Sequence, residues 1–246
     1  MIEIQTEQGG DQWHEERHQC VTGTVLESAL GASYSAAKNH WVMGGKTWVF
    51  DGKKLIVDGT VKEKAICRKK QTTLMTDLIS ERQSYLEIDD FTSAAMERGN
   101  DLEPLSVSAA SERHKVKFEV CGMLQSDSNK YFKFSPDAIA RNKEGIIVGG
   151  YETKSKAGSK HIEYQLAKAI PSEHLMQCLC PMIMDDSVKW WVFGHYDDRN
   201  MIEPLFTTGI KREDYQDFID AARAILEEFL IKTDEMTIEL GGYYNG

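Results

Sequence analysis

The sequence predicts an α/β fold in which a mixed central β-sheet is flanked by helices. Periodic segments follow one another as helix, strands, helix, strands, helix, the order that layered α/β folds show. The continuous apolar run Val188–Tyr196, rich in β-branched and aromatic residues, is typical of a buried strand. Segment 212–231 carries apolar residues at spacings of three and four, which predicts an amphipathic C-terminal helix. With no repeat or linker, residues 1–246 are predicted to form a single domain.

The first part of the chain is predicted to contain a hairpin between two helices. Trp13–Leu30 has a helical pattern. Trp41–Val61 is rich in Gly, Trp and Val, and its turn signals Asp51-Gly52 and Asp58-Gly59 indicate a hairpin. Thr72–Tyr85 is again predicted to be helical.

A further helix and three strands are predicted between Asp101 and Lys154. The helix is expected to begin near Asp101, which puts Pro104 in the first turn, where its missing N–H has no partner to lose. The strands, separated by polar turns, are Lys117–Leu124, Tyr131–Ala140 and Ile146–Lys154.

The second half is predicted to add one helix, two strands and the C-terminal helix. Ser172–Met184 is helical in pattern, and Met201–Thr208 is expected to pair with the strand Val188–Tyr196. The apolar stripe of the last helix comprises Tyr215, Phe218, Ile219, Ala222, Ile225, Leu226, Phe229 and Leu230. This stripe is assigned to packing.

Composition excludes several classes of protein. No long uncharged apolar stretch is present, so no membrane span is expected. Met1–Gly10 has neither a basic nor an apolar signal region, which points to the cytoplasm. Five cysteines, odd in number and scattered, indicate reduced thiols.

The net charge is unevenly distributed. Segment 38–70 has nine basic and three acidic residues, a net +6, so the remainder of a chain of total charge −10 carries −16. A basic face of this kind attracts phosphate backbones, and a solvated surface hairpin explains the charges equally well. The basic residues are Lys38, Lys46, Lys53, Lys54, Lys62, Lys64, Arg68, Lys69 and Lys70.

The strongest chemical signal is Ser135-Pro136-Asp137 followed by Glu152-Thr153-Lys154. Side chains alternate along a strand, so Glu152 and Lys154 project together while Thr153 points away. If Asp137 lies on the neighbouring strand, two carboxylates and an amine meet at one point. Paired carboxylates suit Mg²⁺, and this set is typical of metal-assisted phosphodiester hydrolysis.

Several further motifs occur with this pair, and together they resemble a known family. They are, in chain order, Trp13-x3-Arg17 with Val21-Thr22-Gly23-Thr24, Gly99-x3-Glu103-Pro104, the two motifs above, Ile170-Pro171 with Gln177, and Tyr196-Asp197-Asp198-Arg199. The chain resembles the phage lambda-type exonucleases, the YqaJ-like viral recombinases of the PD-(D/E)xK nuclease superfamily. It departs from them at Leu179, where many members have a second glutamine, at Thr24, which replaces a serine, and in segment 38–70, which matches no motif.

The resemblance implies a restriction-endonuclease-like core and a metal-dependent 5′–3′ exonuclease that resects double-stranded DNA ends for recombination by single-strand annealing. It also implies Mg²⁺, with Mn²⁺ as a substitute, a single-strand annealing protein as partner, and a trimeric assembly. The expected location is the cytoplasm, that of the bacterial host if a phage encodes the chain.

The resemblance also implies roles for individual residues. The metal ligands would be Asp137, Glu152, Glu103 and the carbonyl of Thr153, with Lys154 orienting and activating the attacking water. Gln177 would position that water or Lys154. Arg17, Thr22 and Thr24 would bind a phosphate. A purely structural role stays open for three of these residues. Glu103 then is an acid near a helix N-terminus, Gln177 a buried amide, and Arg17 an exposed helix arginine.

Other functions are open at this point. A related endonuclease that cuts internally and a non-catalytic DNA-binding module on the same fold both fit the pattern. His14-Glu15-Glu16-Arg17-His18 fits the His-Glu-x-x-His zinc-protease pattern, but it lies near the N-terminus with charged middle positions and no evident third ligand. Cys178 and Cys180 are expected to be core thiols, and Trp190-Trp191 to pack within a strand.

Overall fold

A computed structural model describes residues 1–51, 54–61, 65–85, 93–155 and 158–244; for 65–67 and 95–96 it describes the backbone only. The predicted basic residues Lys53, Lys62 and Lys64 and the turn residue Gly52 lie outside the described residues. The helices in the described part are α1 (Asp11–Arg17), α2 (Leu26–Ala29), α3 (Ala65–Arg82), α4 (Ala94–His114), α5 (Gly158–Ala167), α6 (Ser172–Met184) and α7 (Arg212–Glu239). The strands are β1 (Ile2–Ile4), β2 (Ser33–Ser35), β3 (His40–Met43), β4 (Lys46–Phe50), β5 (Leu55–Thr60), β6 (Met123–Gln125), β7 (Lys133–Phe134), β8 (Ala138–Arg141), β9 (Ile147–Lys154), β10 (Trp190–Tyr196) and β11 (Leu205–Lys211).

The central sheet has the strand order β11-β10-β9-β8. Its β9 and β10 are parallel, and the other neighbours are antiparallel, so the predicted mixed sheet is confirmed. A parallel pair needs a crossover connection, which α5 and α6 supply. Helix α4 packs against one face of this sheet, and α6 packs against the other. Smaller sheets are formed by β1-β6-β7 and by β2-β3-β4-β5.

Two glycines of β9 let the indole rings of β10 lie directly on the sheet. A Cβ at Gly149 would come within 2.3 Å of the Trp190 ring, and one at Gly150 within 2.3 Å of the Trp191 ring. Trp191 is completely buried in the core. The two tryptophans therefore pack within the fold, as predicted.

The C-terminal helix α7 is longer than the predicted segment 212–231 and ends at Glu239. Its apolar stripe lies in or against the main core, which confirms the packing assignment. The extension buries Thr233 and Thr237, whose hydroxyls donate to carbonyls one turn earlier, at 2.7 Å each. Threonines do not contribute to an apolar periodicity, so the helix end predicted from that periodicity is too early.

The predicted helix Trp13–Leu30 is wrong, because α1 and α2 are separate. Gln19 has a left-handed backbone (φ 66°), which no helix continues through. Val21 then pairs with Phe132 in an isolated parallel bridge. This backbone pairing to a distant segment, just before β7, outweighs local helix propensity.

Helix α4 begins at Ala94 and not near Asp101 as predicted, so Pro104 lies in its interior. Proline has no N–H to donate to the carbonyl four residues earlier, which weakens the helix at this point. The helix persists because its later turns pack on the sheet through Val107 and Ala110. Tertiary packing here outweighs the local preference for a helix start at proline.

Segment 38–70 is not a single hairpin. Strands β3, β4 and β5 form a meander with β2, and residues 65–70 already belong to α3. The β3–β4 turn uses Gly44 and Gly45, both with positive φ (58° and 67°). The predicted turn at Asp51-Gly52 lies partly outside the described residues; beside it, the Asp51 N–H donates to the Lys54 carbonyl at 3.0 Å. Asp58-Gly59 instead lies within β5.

The remaining differences concern short strands and one missed helix. The predicted strand Tyr131–Ala140 is interrupted between β7 and β8 at residues 135–137, and Lys117–Leu124 is strand only from Met123. The strand after β10 starts at Leu205, not at Met201, and α5 was not predicted. Among the described residues, no helix has both the length and the apolar character that crossing a lipid bilayer demands.

Arg212 connects α6, β10 and α7, and its loss should destabilise the fold. Its buried guanidinium donates to the Val188 carbonyl at 2.8 Å and to the Asp185 carbonyl at 2.6 Å. Arg212→Met should lower the free energy of unfolding by about 2–4 kcal/mol, because hydrogen bonds from a charged donor contribute about 1.5–3 kcal/mol each. Urea unfolding measures this. Lys211→Met, at an exposed position, should change stability by less than about 0.5 kcal/mol.

Candidate active site

The two acids and the lysine of the predicted pair meet at one end of the β8–β9 hairpin. Asp137 immediately precedes β8, and Glu152 and Lys154 lie at the end of β9. Lys154 Nζ is 2.5 Å from Glu152 Oε1, so these side chains share one face of the strand. The backbone N–H of Thr153 donates to Asp137 Oδ2 at 2.5 Å. Asp137 and Glu152 are 6% and 2% exposed.

Burial and like charge raise the pKa of the acids in this site. Burial, and then the nearby charge of Glu152, hold the pKa of Asp137 well above its ordinary value. The same two causes raise the pKa of Glu103. Burial would lower the pKa of Lys154, but the charges of Glu152 and Asp137 outweigh it and raise that pKa. Lys154 therefore stays an ammonium at neutral pH.

Helix α4 carries Glu103, the third predicted acid, whose charge also raises the pKa of Asp137. Among the described residues whose charges act on the pKa of Asp137, the carboxylates are Glu152 and Glu103 and the ammonium is Lys154. When Asp137 and these groups are all ionised, two negative charges are left uncompensated. This imbalance fits one divalent cation with oxygen ligands. Even so, among the described residues no three His, Cys, Asp or Glu side chains are already arranged to hold a metal ion.

The N-terminal residues predicted to bind phosphate lie together. The guanidinium of Arg17 stacks on the ring of Trp13, 4.3 Å from its centroid, and its Nη2 is 3.4 Å from Thr24 Oγ1. The Thr24 and Thr22 hydroxyls are 3.0 Å apart. Trp13 Nε1 donates to Ser135 Oγ at 2.9 Å, which fixes this group two residues from Asp137.

Gln177 is not hydrogen-bonded to the carboxylates or to Lys154 in the described structure. Its Oε1 lies 3.4 Å from His174 Nδ1 on the same helix. The neighbouring Cys178 is fully buried, and burial followed by the charge of Glu152 raises the pKa of its thiol. A core thiol at this position was predicted, but its closeness to the acids was not.

Sequence reasoning missed Ser106 and Tyr151 as residues near the site. Ser106 lies one helical turn after Glu103 and contacts the hydroxyls of Tyr151 and Thr153. The spacing of Glu103 and Ser106 places both on one face of the predicted helix. Which strand this face packs against is decided only by the tertiary structure.

A family profile matches the greater part of the chain. The YqaJ-like viral recombinase domain matches residues 12–186. The chain belongs to this family. The match spans the N-terminal phosphate-binding candidates, Glu103, both core motifs and Gln177.

Solved structures are similar to this YqaJ-like chain over nearly its whole length. One is an alkaline exonuclease, LHK-Exo, from Laribacter hongkongensis, with 20% identity, a TM-score of 0.67, and coverage of 94% of this chain and 96% of that one. LHK-Exo in complex with dAMP matches at 19% identity and a TM-score of 0.66, with the same coverage. At these identities the likeness shows the fold, which is restriction-endonuclease-like as expected. No curated protein sequence gives a match.

The zinc-protease pattern has no support in this YqaJ-like domain. Helix α1 ends at Arg17, and His18 follows it with an extended backbone (φ −56°, ψ 137°). His14 and His18 therefore do not lie one turn apart on a continuous helix. His18 Nδ1 instead faces Glu81 at 3.8 Å, and His14 packs edge-on against Trp13.

The raised pKa of Asp137 predicts that its charge destabilises the metal-free protein. A carboxyl whose pKa is higher in the folded state than its ordinary 3.8 binds protons better when folded. Its stabilising contribution is present at low pH and is lost as pH rises towards the folded pKa. Asp137→Asn keeps an acceptor for the Thr153 N–H and removes the charge. In metal-free buffer at pH 8 the variant should melt at least about 2 °C higher, since 1 kcal/mol corresponds to about 2–4 °C here.

Melting curves from pH 8 down to about pH 3.5 measure this effect, and the advantage of Asp137→Asn should disappear below the ordinary carboxyl pKa. Asp217→Asn, at an exposed position on α7, is the matched control and should show no such trend. A melting temperature of Asp137→Asn at or below that of the wild type at pH 8 would contradict the assignment.

Proposed function

We propose that the protein is a metal-dependent double-stranded DNA exonuclease that degrades one strand from its 5′ end. The observation that carries the proposal is the meeting of Asp137, Glu152 and Lys154 at the end of β9. Membership of a viral recombinase family supports DNA as the substrate. The fold shared with an alkaline exonuclease supports nuclease chemistry over DNA binding alone.

The carboxylates of Asp137, Glu152 and Glu103, with the carbonyl of Thr153, would hold Mg²⁺, for which Mn²⁺ can substitute. When bound, such an ion neutralises the scissile phosphate and makes water a better nucleophile. The chain supplies the oxygen ligands and a buried environment, in which charge interactions are stronger than in water. The excess of negative charge in the site fits this assignment.

Lys154 would orient the attacking water and stabilise the charge that develops on the phosphate. Burial lowers its pKa, but in the metal-free protein the charges of Glu152 and Asp137 outweigh burial and keep it protonated, so it can donate hydrogen bonds. The family resemblance also implies that it helps to activate this water. Gln177 stays a candidate for positioning Lys154 or the water, although its amide is directed to His174 in this structure.

Arg17, Thr22 and Thr24 would bind the terminal phosphate of the strand being degraded. Burial lowers the pKa of Arg17, yet an arginine remains charged at neutral pH. A guanidinium stacked on Trp13 is held in place and offers several parallel N–H donors. The hydrogen bond from Trp13 to Ser135, two residues before Asp137, supports a phosphate site near the acids.

The biological role we propose is resection of DNA ends for phage-type recombination by single-strand annealing. The retained 3′ strand would be passed to an annealing protein, and the active form would be a homotrimer, both as the family resemblance implies. The whole chain, 1–246, would act as one nuclease domain. Segment 38–70 is the candidate for additional DNA contacts, and the cytoplasm of a bacterial host is the proposed location.

One gel tests the main claim. Linear duplex labelled at each end in turn should be shortened from the 5′ ends with Mg²⁺ and stay intact with EDTA, whereas closed circular duplex should persist. Lys154→Ala and Asp137→Asn should lower the rate by at least about 100-fold, the size of effect that loss of one charge-stabilising group has. Equal cutting of circular DNA would identify an endonuclease, and full activity of Lys154→Ala would refute the site.

A second experiment tests the phosphate site. Arg17→Ala should abolish the preference for 5′-phosphorylated ends, because a charge-assisted contact contributes about 1.5–3 kcal/mol. The rate on dephosphorylated ends, which lack this contact, should stay within about threefold of the wild-type rate. Initial rates on matched phosphorylated and dephosphorylated duplexes measure this. An Arg17→Ala enzyme that retains the wild-type preference would show that the phosphate is bound elsewhere.

A further inference from the structure

Three buried hydroxyl groups join helix α4 to the strand that carries the catalytic candidates. Ser106 Oγ lies 2.7 Å from the Tyr151 hydroxyl and 2.6 Å from Thr153 Oγ1. Ser106 and Tyr151 are completely buried, and Thr153 is 6% exposed. Buried hydroxyls of this kind are costly to leave without partners, so the three hold one another in place.

The cluster lies on the opposite face of β9 from the charged side chains. Tyr151 and Thr153 point to α4, and because side chains alternate, Glu152 and Lys154 point away from it. The Thr153 N–H donates to Asp137 at 2.5 Å. Thr153 therefore bonds to Ser106 through its side chain and to Asp137 through its backbone.

Ser106 also joins a weakened turn of α4 to β9. Pro104 has no N–H, so one hydrogen bond that would otherwise hold this turn of the helix is missing. The side-chain bonds from Ser106 to Tyr151 and Thr153 hold this turn against β9. Glu103, three residues before Ser106, shares its face of α4.

The fold makes room for the cluster at Gly194. A Cβ at Gly194 would lie 1.8 Å from the Tyr151 hydroxyl, so any side chain there would displace the phenol. Burial raises the pKa of Tyr151 to about 12, which keeps the phenol protonated as a donor within the cluster. The arrangement is thus specified by three separate elements: α4, β9 and β10.

We propose that Ser106 is a positioning residue that fixes Thr153, and through the Thr153 N–H the carboxylate of Asp137, and thereby determines the affinity of the site for its divalent cation. The proposal rests on the proposed function, since it assigns the cation to Asp137 and its neighbouring acids. It predicts that loss of the Ser106–Thr153 bond weakens cation binding while leaving the binding of DNA ends unchanged.

Titration with Mn²⁺ alone, followed by electron paramagnetic resonance of the free ion, tests the proposal without reference to activity. Ser106→Ala should raise the dissociation constant for Mn²⁺ about 10- to 100-fold, the usual effect of removing a partner that orients a metal ligand. Ser108→Ala, an exposed serine on the same helix, should bind Mn²⁺ as the wild type does. In kinetics, Ser106→Ala should need more Mg²⁺ for half-maximal rate, with KM for DNA ends within about twofold.

The Ser106–Thr153 bond can also be tested by substitutions at Thr153. These remain informative when the Ser106→Ala protein does not fold. Thr153→Val keeps the shape and loses the hydroxyl, and should weaken Mn²⁺ binding as Ser106→Ala does. Thr153→Ser keeps the hydroxyl and should bind Mn²⁺ within about threefold of the wild type. The Ser106→Ala/Thr153→Val double variant should be no weaker than either single variant, because residues in contact are not additive.

Folded Ser106→Ala and Thr153→Val proteins with wild-type Mn²⁺ affinity would overturn the proposal. An effect of Thr153→Ser as large as that of Thr153→Val would also do so, since it would trace the loss to packing. Failure of the proposed function is separate: there, Asp137→Asn would retain nuclease activity. If Asp137→Asn is inactive but Ser106→Ala binds Mn²⁺ as the wild type does, only the role of Ser106 is refuted and the proposed function stands.

Discussion

The structure depends on holding several like charges together inside a protein. Asp137 and Glu152 are almost fully buried, Glu103 approaches them, and only Lys154 carries a compensating charge among the residues that act on their pKa. Such an arrangement is unfavourable by itself, because burial and like-charge repulsion both oppose ionisation. It persists because backbone and packing, not the charges, determine where these side chains stand.

Tight packing and hydrogen bonds hold β9 in place next to the buried carboxylates. Gly149 and Gly150 let two indole rings lie against β9, so the strand cannot shift without breaking tight packing. The Thr153 N–H fixes one carboxylate, and the hydroxyls of Tyr151 and Thr153 fasten the strand to α4. The unfavourable repulsion between the buried carboxylates is offset by the stability of the surrounding core.

The N-terminal segment brings a basic group to the segment that precedes β8. The chain breaks between α1 and α2, and Val21 pairs with Phe132 just before β7. Trp13, bonded to Ser135, carries the Arg17 guanidinium on its ring. A guanidinium is thereby held by the segment that leads to Asp137, two residues after Ser135.

The sequence by itself determined the mixed α/β architecture, the bounds of α6, the end of β10, the α7 stripe and the placement of Glu152 with Lys154, because all of these follow from local periodicity. Only the tertiary structure decided the break after α1, the early start of α4 and the extent of α7. Partners distant in the chain set the first two, Phe132 for Val21 and the sheet for α4, and the last turns of α7 bury threonines, which leave no apolar pattern. The Ser106 cluster likewise arises from packing between α4 and β9, which no local pattern encodes.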